Sequence, residues 1–294
     1  MTVAAESVAC GIAGWSYPDW AGYVYGPGVK DQLRYVAAYV DMIEINSTFY
    51  HPPSERNSAS WLRRTDVFPG FCFTAKLHQD VTHGGVIAPE MTRAFHEGFA
   101  PLTESGKLKH LLAQFRYDFA DAPVTREHLS RIRDGFGDLT ALTVEMRHIS
   151  WQQSDALAFL SALGVNVAVM DYPMAGNSFN LAASGVGEHA YLRLHGRNAK
   201  AWFSKGAGRD ETYNYLYSKP EVQGIHARVL QIAKMSSSLT VVANNHYQGK
   251  EAANVLQLKS MLTGKRVPVP PPLEAKYPDL REISSGPAAS YPSA

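Results

Sequence analysis

Two glutamates and one histidine in this chain stand within or at the end of apolar runs, where ionisable groups are uncommon. Glu44 lies in MIEINSTF, Glu145 in LTVEMRH, and His195 ends AYLRLH. Carboxylates whose neighbours move their pKa values in opposite directions suit general acid and general base roles. His195 is flanked by Arg193 and Arg197, and nearby positive charge lowers the pKa of an imidazole and keeps it neutral. Glu44, Glu145 and His195 are therefore the predicted catalytic groups.

Cations and amides accompany these three residues and predict an anion site. Guanidinium and ammonium groups bind a carboxylate or a phosphate, and amides orient hydroxyl groups. Aromatic rings beside a polar pocket can stack a sugar or a base. A small anionic or polyol ligand is the partner that these residue types fit. The predicted substrate-binding residues are Trp15, Asn46, Lys76, Gln114, Arg147, Asp171, Arg193, Arg197, Asn244 and Asn245.

A metal ion is an alternative occupant of the same region. Imidazoles and carboxylates are ligands for zinc, manganese and iron, and His148, Asp171, His195 and His246 lie at or just past the ends of apolar runs. Against a metal, the chain has no HExxH spacing, and the adjacent arginines repel a dication. The sequence therefore assigns no metal ligand and leaves the cofactor open.

The elements that position these residues repeat along the chain. Segments with helical periodicity separate most of eight short apolar runs, which is typical of parallel βαβ units closed into a TIM-type (β/α)8 barrel. In such a barrel the chemistry lies at the C-terminal ends of the strands. The predicted strands are Val8–Trp15, Met42–Phe49, Phe71–Leu77, Leu111–Phe115, Leu142–His148, Val165–Asp171, Ala190–His195 and Leu239–His246, and the predicted helices are Lys30–Val40, Ser54–Arg64, Pro89–Ser105, Val124–Asp134, Ser154–Leu163, Pro220–Lys234 and Lys250–Thr263.

Side chains alternate between the two faces of a strand, so the polar positions share the inner face. The alternation predicts that Glu44, Lys76, Glu145, Arg193 and Asn244 point into one cavity. Burying a single charge costs several kcal/mol unless it is paired or meets a ligand. The opposite signs favour pairing, so an internal ion-pair network without a substrate is the alternative. If the site is functional, we expect Arg193→Met to abolish ligand binding with a modest effect on stability.

Three segments depart from the repeating pattern. Met174–Gly187 is rich in Gly, Ser, Asn and Ala, which predicts that the sixth helix is short or missing. The long connection 196–218 contains Trp202 and several tyrosines, and is either a lid or binding loop or a loop packed by its own rings. The proline-rich residues from 268 onward are predicted to form a tail without helix or strand that is dispensable for folding. The predicted domains are a barrel, residues 1–266, and a tail, residues 267–294.

Composition excludes several classes of protein. The 294 residues carry a formal net charge of +1, so no global field draws the chain toward nucleic acid or an anionic membrane. No apolar run approaches the roughly 18 residues that span a bilayer. The first eight residues lack the features of a signal peptide. Cys10 and Cys72 lie in strand-like runs and are predicted to be buried free thiols, so we expect a cytoplasmic protein without a membrane partner.

Seven short sequence blocks, taken together and in this order, are specific for one protein family. They are Gly11–Pro18, Val40–His51, Phe71–Lys76 with Thr82 and His83, Val144–Trp151, Asp171–Pro173, Arg193–Asn198 and Asn244–His246. These blocks resemble the YecE-like family, also called domain of unknown function 72, from about residue 9 to about residue 262. The resemblance implies a TIM-type barrel and brings no reaction with it.

Together these features predict an enzyme that acts on a phosphate- or carboxylate-bearing small molecule, or on a phosphodiester. Acid–base chemistry at the C-terminal rim of the barrel would carry the reaction. One alternative is a non-catalytic module that binds a sugar phosphate or single-stranded nucleic acid, and the low net charge disfavours nucleic acid. The other alternative is a metal-dependent hydrolase.

Overall fold

Nine parallel strands surround the core of this protein. The structure is a computed structural model that describes residues 8–181 and 186–289. The strands are β1 (Val8–Ala13), β2 (Met42–Ile45), β3 (Cys72–Lys76), β4 (Leu108–Gln114), β5 (Ala141–Glu145), β6 (Asn166–Val167), β7 (Val169–Asp171), β8 (His189–Leu194) and β9 (Ser238–Ala243).

The strands close into a barrel in the order of the chain. β1 pairs with β2 on one side and with β9 on the other, and the sheet ends at β6 and β7. Only Ala168 separates β6 from β7, and its N–H donates to the carbonyl of Val144 at 2.9 Å. The sixth predicted strand is thus divided into β6 and β7. These two strands are the two ends of the sheet, and Ala168 joins them. The predicted single-domain barrel of TIM type is confirmed.

Helices lie outside the barrel and begin where the sequence provides start signals. The Asp31 carboxylate accepts the N–H of Arg34, and Ser54 accepts that of Asn57. Ser218 and Glu221 form a capping box. Among the described residues, no helix is long and apolar enough to cross a membrane. The helices are α1 (Gln32–Ala37), α2 (Glu55–Thr65), α3 (Gln79–Thr82), α4 (Pro89–Glu104), α5 (Pro123–Phe136), α6 (Ser154–Ala162), α7 (Ala199–Trp202), α8 (Arg209–Thr212), α9 (Lys219–Ala233), α10 (Lys250–Thr263) and α11 (Pro271–Lys276).

The two irregular connections follow β7 and β8. In the first, residues 172–181 and 186–188 contain no helix, which agrees with a short or missing sixth helix. Residues 182–185 of that segment lie outside the described residues. The second connection, 196–218, contains α7 and α8, each of four residues. This connection lies over the C-terminal end of the barrel. We call that end of the barrel the mouth.

The predicted structureless tail is wrong for the described residues. Residues 271–276 form α11, and a 3-10 helix follows at Pro278–Glu282. Leu273 and Leu280 are fully buried, and Val269 is nearly so. The Val269 N–H also donates to the carbonyl of Gly286 at 2.9 Å. The many prolines made the apolar positions of this segment hard to recognise in the sequence. Because its apolar side chains pack on the barrel, the segment belongs to the folded unit and is expected to contribute to its stability.

The lumen of the barrel is filled with side chains below the mouth. Met42, Cys72, Leu112 and Val242 pack together there. A Cβ at Gly11 would lie 2.2 Å from the sulfur of Met42, so only glycine fits at that point of β1. Cys10 and Cys72 are buried free thiols, as predicted. The lower lumen is thus packed, and the charged side chains of Glu44, Glu145 and Arg193 lie above it.

Candidate active site

A fully buried arginine, Arg193, lies at the centre of the upper lumen. Arg193 projects from β8 between two glutamates from β2 and β5. Its Nη2 donates to Oε1 of Glu44 and its Nη1 to Oε2 of Glu145, both at 2.6 Å. Tyr191 Oη donates to the other oxygen of Glu44 at 2.8 Å. The three charged groups are completely inaccessible to water, so they hold one another in place.

A second arginine completes this network at its upper edge. Arg147 donates from Nε and Nη2 to Oε1 of Glu145, at 2.9 and 2.5 Å. Burial opposes ionisation of Glu145, but Arg147 and Arg193 outweigh it and hold the pKa of Glu145 well below its usual value. The Arg147 guanidinium also lies 5.4 Å from the ring centroids of both Tyr172 and Trp202. Two glutamates and two arginines thus compensate one another's charge.

His195 is buried beside this network. The Asn244 amide nitrogen lies 3.1 Å from His195 Nδ1, and because an amide nitrogen can only donate, Nδ1 accepts and the ring proton is on Nε2. Nε2 has no hydrogen-bond partner among the described residues and lies 3.7 Å from Oε2 of Glu145. Burial lowers the pKa of His195 to about 3, and Arg193 and Arg147 add to this against the opposing pull of Glu145. The imidazole is therefore neutral at physiological pH.

Lys76 is the lysine at the end of β3. Within the described part of the chain, its Nζ forms no hydrogen bond or ion pair, and it lies 5.5 Å from the ring centroid of Phe49. Burial, reinforced by Arg193, lowers the pKa of Lys76 to about 8 despite the nearby carboxylates of Glu44 and Glu145. This amine therefore changes charge close to physiological pH.

An open cleft of about 430 Å³, the mouth cleft, lies above Lys76. The Tyr17 ring stacks on His246 in its wall, with centroids 4.6 Å apart, and Arg209 from α8 lies over Tyr17. None of the lining residues is an aspartate or a glutamate. The cleft is lined by Gly14, Trp15, Ser16, Tyr17, Asn46, Ser47, Phe49, Tyr50, Lys76, His83, Gln114, Arg209, Tyr213, Asn244 and His246.

A second cleft, of about 740 Å³, adjoins the first and shares His83 and Gln114 with it. The connection 196–218 contributes to both clefts, because Trp202 and Lys205 line the second while Arg209 and Tyr213 line the first. Trp202 lies 5.7 Å from the His195 ring, centroid to centroid. The second cleft also contains no carboxylate among its lining residues, which include Arg116, Arg147 and Lys205.

The structure divides the predicted site residues into three groups. Trp15, Asn46, Lys76, Gln114 and Asn244 line the mouth cleft, and Arg147 lines the second cleft. Glu44, Glu145, Arg193 and His195 lie buried beneath them. Asp171, Arg197 and Asn245 line neither cleft.

The three residues outside the clefts have partners elsewhere. Arg197 forms a two-pronged ion pair with Asp171, at 2.8 and 2.7 Å. Asn245 is buried and donates to the carbonyl of Tyr215 and to the Asn254 side chain. Their contacts connect strands to helices and loops, which is a structural role.

The candidate metal ligands are dispersed. His148 bonds the hydroxyl of Ser150, Asp171 is paired with Arg197, and His246 stacks on Tyr17. Within residues 8–181 and 186–289, no group of three or more His, Cys, Asp or Glu residues is arranged to hold a metal ion. The donor arrangement therefore gives no support to the metal-dependent alternative.

Sequence reasoning missed several residues of the site. Arg209 lies in an exposed helix of four residues and gives no periodic signal. His83 stands in one of the family-like blocks, which was the available indication. Glu251 is fully buried at the start of α10, where its carboxylate accepts the N–H of Ala13 at 3.4 Å. Burial raises the pKa of Glu251 well above its usual value, which favours the protonated form of this carboxyl group.

Comparison with known proteins identifies the family. A family model described as "Protein of unknown function DUF72" matches residues 9–277. The UPF0759 protein YunF of Bacillus subtilis is 27% identical over 269 residues, which are 86% of this chain and 93% of YunF. A DUF72 family protein from Thermotoga maritima is 33% identical, with a TM-score of 0.77 over 87% of this chain and 99% of that chain. A DUF72 family protein from Enterococcus faecalis is 26% identical, with a TM-score of 0.77 over 87% of this chain and 95% of that chain. The chain belongs to the DUF72 family, as the sequence blocks indicated.

Proposed function

We propose that this DUF72 family member is an enzyme that binds a small phosphate- or carboxylate-bearing molecule in the mouth cleft and transfers protons there. One observation carries the proposal: the Lys76 amine faces a cleft with no carboxylate among its described lining residues, while the carboxylates beneath it are already paired with arginines. A cation without a partner in a partly dry cleft favours an anionic ligand. The location at the C-terminal ends of the strands agrees with where barrels carry chemistry.

The walls of the cleft suit a polyol that bears the anionic group. The amides of Asn46, Gln114 and Asn244 can donate to and accept from hydroxyl groups. Oδ1 of Asn46 is buried and has no hydrogen-bond partner among the described residues. The ring of Trp15 lines the same cleft and can pack against the apolar side of a sugar.

The proton-transfer group in this proposal is Lys76, in place of the three predicted catalytic residues. Glu145 remains ionised because two arginines lower its pKa, and His195 remains neutral because burial lowers its pKa to about 3. Neither group exchanges a proton readily near pH 7. We assign Glu44, Glu145 and Arg193 to holding the floor of the cleft, and His195 to supporting Asn244.

Thermal unfolding tests the anion site directly. A ligand that binds only the folded state raises the unfolding temperature, so inorganic phosphate and ribose 5-phosphate should stabilise the protein more than ribose at equal ionic strength. Lys76→Met should remove the difference, and Lys76→Arg should retain it because the cation is kept. Lys109→Met, an exposed lysine in β4, is the matched control. Equal responses of wild type and Lys76→Met would refute the proposal.

A second candidate, binding of single-stranded nucleic acid, is supported by one feature of the second cleft. Tyr117 and Phe203 are 68% and 53% exposed at that cleft, beside Arg116 and Lys205. Exposed rings and cations together are typical of surfaces that stack bases and contact phosphates. Fluorescence anisotropy with a labelled oligothymidine would show salt-dependent binding that Tyr117→Ala weakens. Absence of binding at low salt would reject this candidate.

A further inference from the structure

We propose that Lys76 is a nucleophile that forms a protonated imine with the carbonyl carbon of the substrate. The substrate would then be an anionic aldehyde or ketone. This inference rests on the proposed function, because it places covalent chemistry in the same mouth cleft. It goes further, because it assigns a reaction step and a substrate class.

The surroundings of Lys76 differ from those of Lys219 and Lys259, the lysines that form ion pairs among the described residues. The Lys259 ammonium is 2.6 Å from a carboxylate oxygen of Asp41, and that of Lys219 is 2.7 Å from one of Glu282. Among the described residues, Nζ of Lys76 has no such partner, and it lies on the floor of a cleft beside the Phe49 ring. A nucleophilic amine must be reachable by a substrate and must not be held as an ammonium by an adjacent carboxylate.

The electrostatic surroundings favour the free amine. Burial and the Arg193 guanidinium lower the pKa of Lys76 from 10.5 to about 8. At pH 7 these two values correspond to about 300-fold more free amine than in an ordinary lysine. Desolvation combined with a neighbouring cation is an established way to activate a lysine toward carbonyl compounds.

The step conserves atoms and charge. The lone pair of the neutral Lys76 amine forms a bond to the carbonyl carbon, and one amine proton moves to the oxygen to give a carbinolamine. The carbon–oxygen bond then breaks, and the oxygen leaves as water with the proton that the ammonium had lost. Overall, an ammonium and a carbonyl give a protonated imine and water, without an oxidant or a reductant.

Groups around Lys76 suit this intermediate. Asn46 lines the same cleft, and its side-chain amide can form a hydrogen bond with the carbinolamine hydroxyl. Gln114 and Asn244 line the same cleft and can donate to the oxygen as it departs. The protonated imine replaces the ammonium with a cation of the same charge, so the balance with Glu44 and Glu145 is preserved.

Reductive trapping tests the inference. The protein is incubated at pH 7 with glycolaldehyde phosphate or with pyruvate in the presence of cyanoborohydride, and the labelled lysines are located by peptide mass spectrometry. If the free amine alone sets the rate, Lys76 should be labelled about 300-fold faster than a lysine of the ordinary pKa 10.5 in an unstructured reference peptide, and clearly faster than the exposed Lys109. Labelling of Lys76 no faster than that of Lys109 would overturn the inference, and this comparison needs no variant.

Two variants separate this inference from the proposed function. Lys76→Arg retains a cation but no nucleophile, so it should bind phosphate in the thermal assay and give no label at residue 76. Lys109→Arg should retain both properties. Phosphate stabilisation of the wild type without labelling of Lys76 would overturn the imine and leave the anion site standing. Labelling of Lys76 without phosphate stabilisation would support the imine and refute the anion site.

Discussion

Replacing Arg193 by methionine should destabilise the protein strongly, because the substitution leaves two buried carboxylates without their shared partner. Glu145 would keep its bonds to Arg147, but Glu44 would keep only the Tyr191 hydroxyl. Breaking a buried ion pair by removing one partner costs about 3–5 kcal/mol. We therefore expect Arg193→Met to lower the free energy of unfolding by about 4 kcal/mol at pH 7. The modest effect on stability that the sequence analysis expects for a functional site is revised accordingly.

The assay is urea unfolding followed by tryptophan fluorescence and circular dichroism. Arg197→Met is the matched control, because the Arg197 side chain is 42% exposed and its pair with Asp171 is screened by water. A pair of that kind contributes about 1 kcal/mol or less. Glu44→Gln combined with Arg193→Met should recover part of the loss, because the unpaired charge is gone. An Arg193→Met cost no larger than that of Arg197→Met would refute the reasoning.

The loss in free energy of unfolding caused by Arg193→Met should also depend on pH, in a defined direction. In the wild type the pKa of Glu145 lies below its usual value of 4.5, so its ion pairs stabilise the fold above that pH and lose effect as pH falls through the folded pKa. Without Arg193, Glu145 loses one of the two guanidinium groups that lower its pKa, so it takes up a proton at a higher pH than in the wild type. The difference in stability between wild type and variant should therefore shrink as pH falls below about 5.

Three further predictions concern Lys76, the C-terminal segment and Trp15. Phosphate stabilisation should weaken as pH rises through about 8, where Lys76 loses its charge, and Lys76→Arg should remain flat in a thermal-shift series across that range. Truncation after Lys265 removes the buried Leu273 and Leu280, each worth about 1.5–3 kcal/mol, so the shortened chain should melt at markedly lower temperature or fail to fold by circular dichroism. Trp15→Ala removes a ring from the wall of the mouth cleft and should weaken ribose 5-phosphate binding in calorimetry by about threefold or more, with a smaller effect on the unfolding temperature than that of Arg193→Met.

Strand alternation correctly predicts which face of a strand looks inward, because the period of two is fixed by the backbone. It could also have excluded two residues from the site. Asp171 shares parity with Val169, and Asn245 shares parity with Ala243, and both of these apolar residues pack in the cluster between barrel and helices. The sequence pattern therefore indicates that the side chains of Asp171 and Asn245 point away from the lumen. Their position at a strand end had suggested the opposite.

Partners across the lumen could not be predicted in the same way. The ion pairs of Arg193 join it to residues 149 and 48 positions away in the chain. Which carboxylate pairs with which arginine depends on the register of three strands relative to one another. Alternation within each strand does not specify that register. The sequence therefore indicated a cluster of mixed charge and left open which members were already paired.

The pairing decides where chemistry can occur. A carboxylate held by two arginines is a poor base at neutral pH, and a histidine whose pKa is about 3 is poorer still. Residue type and position alone placed Glu44, Glu145 and His195 first, since those residue types most often transfer protons. The ion pairs leave Lys76 as the ionisable group that reaches a cleft, lacks a partner among the described residues and changes charge near pH 8. The paired charges beneath Lys76 then have a function of their own, because Arg193 adds to the effect of burial and lowers the pKa of the lysine amine to about 8.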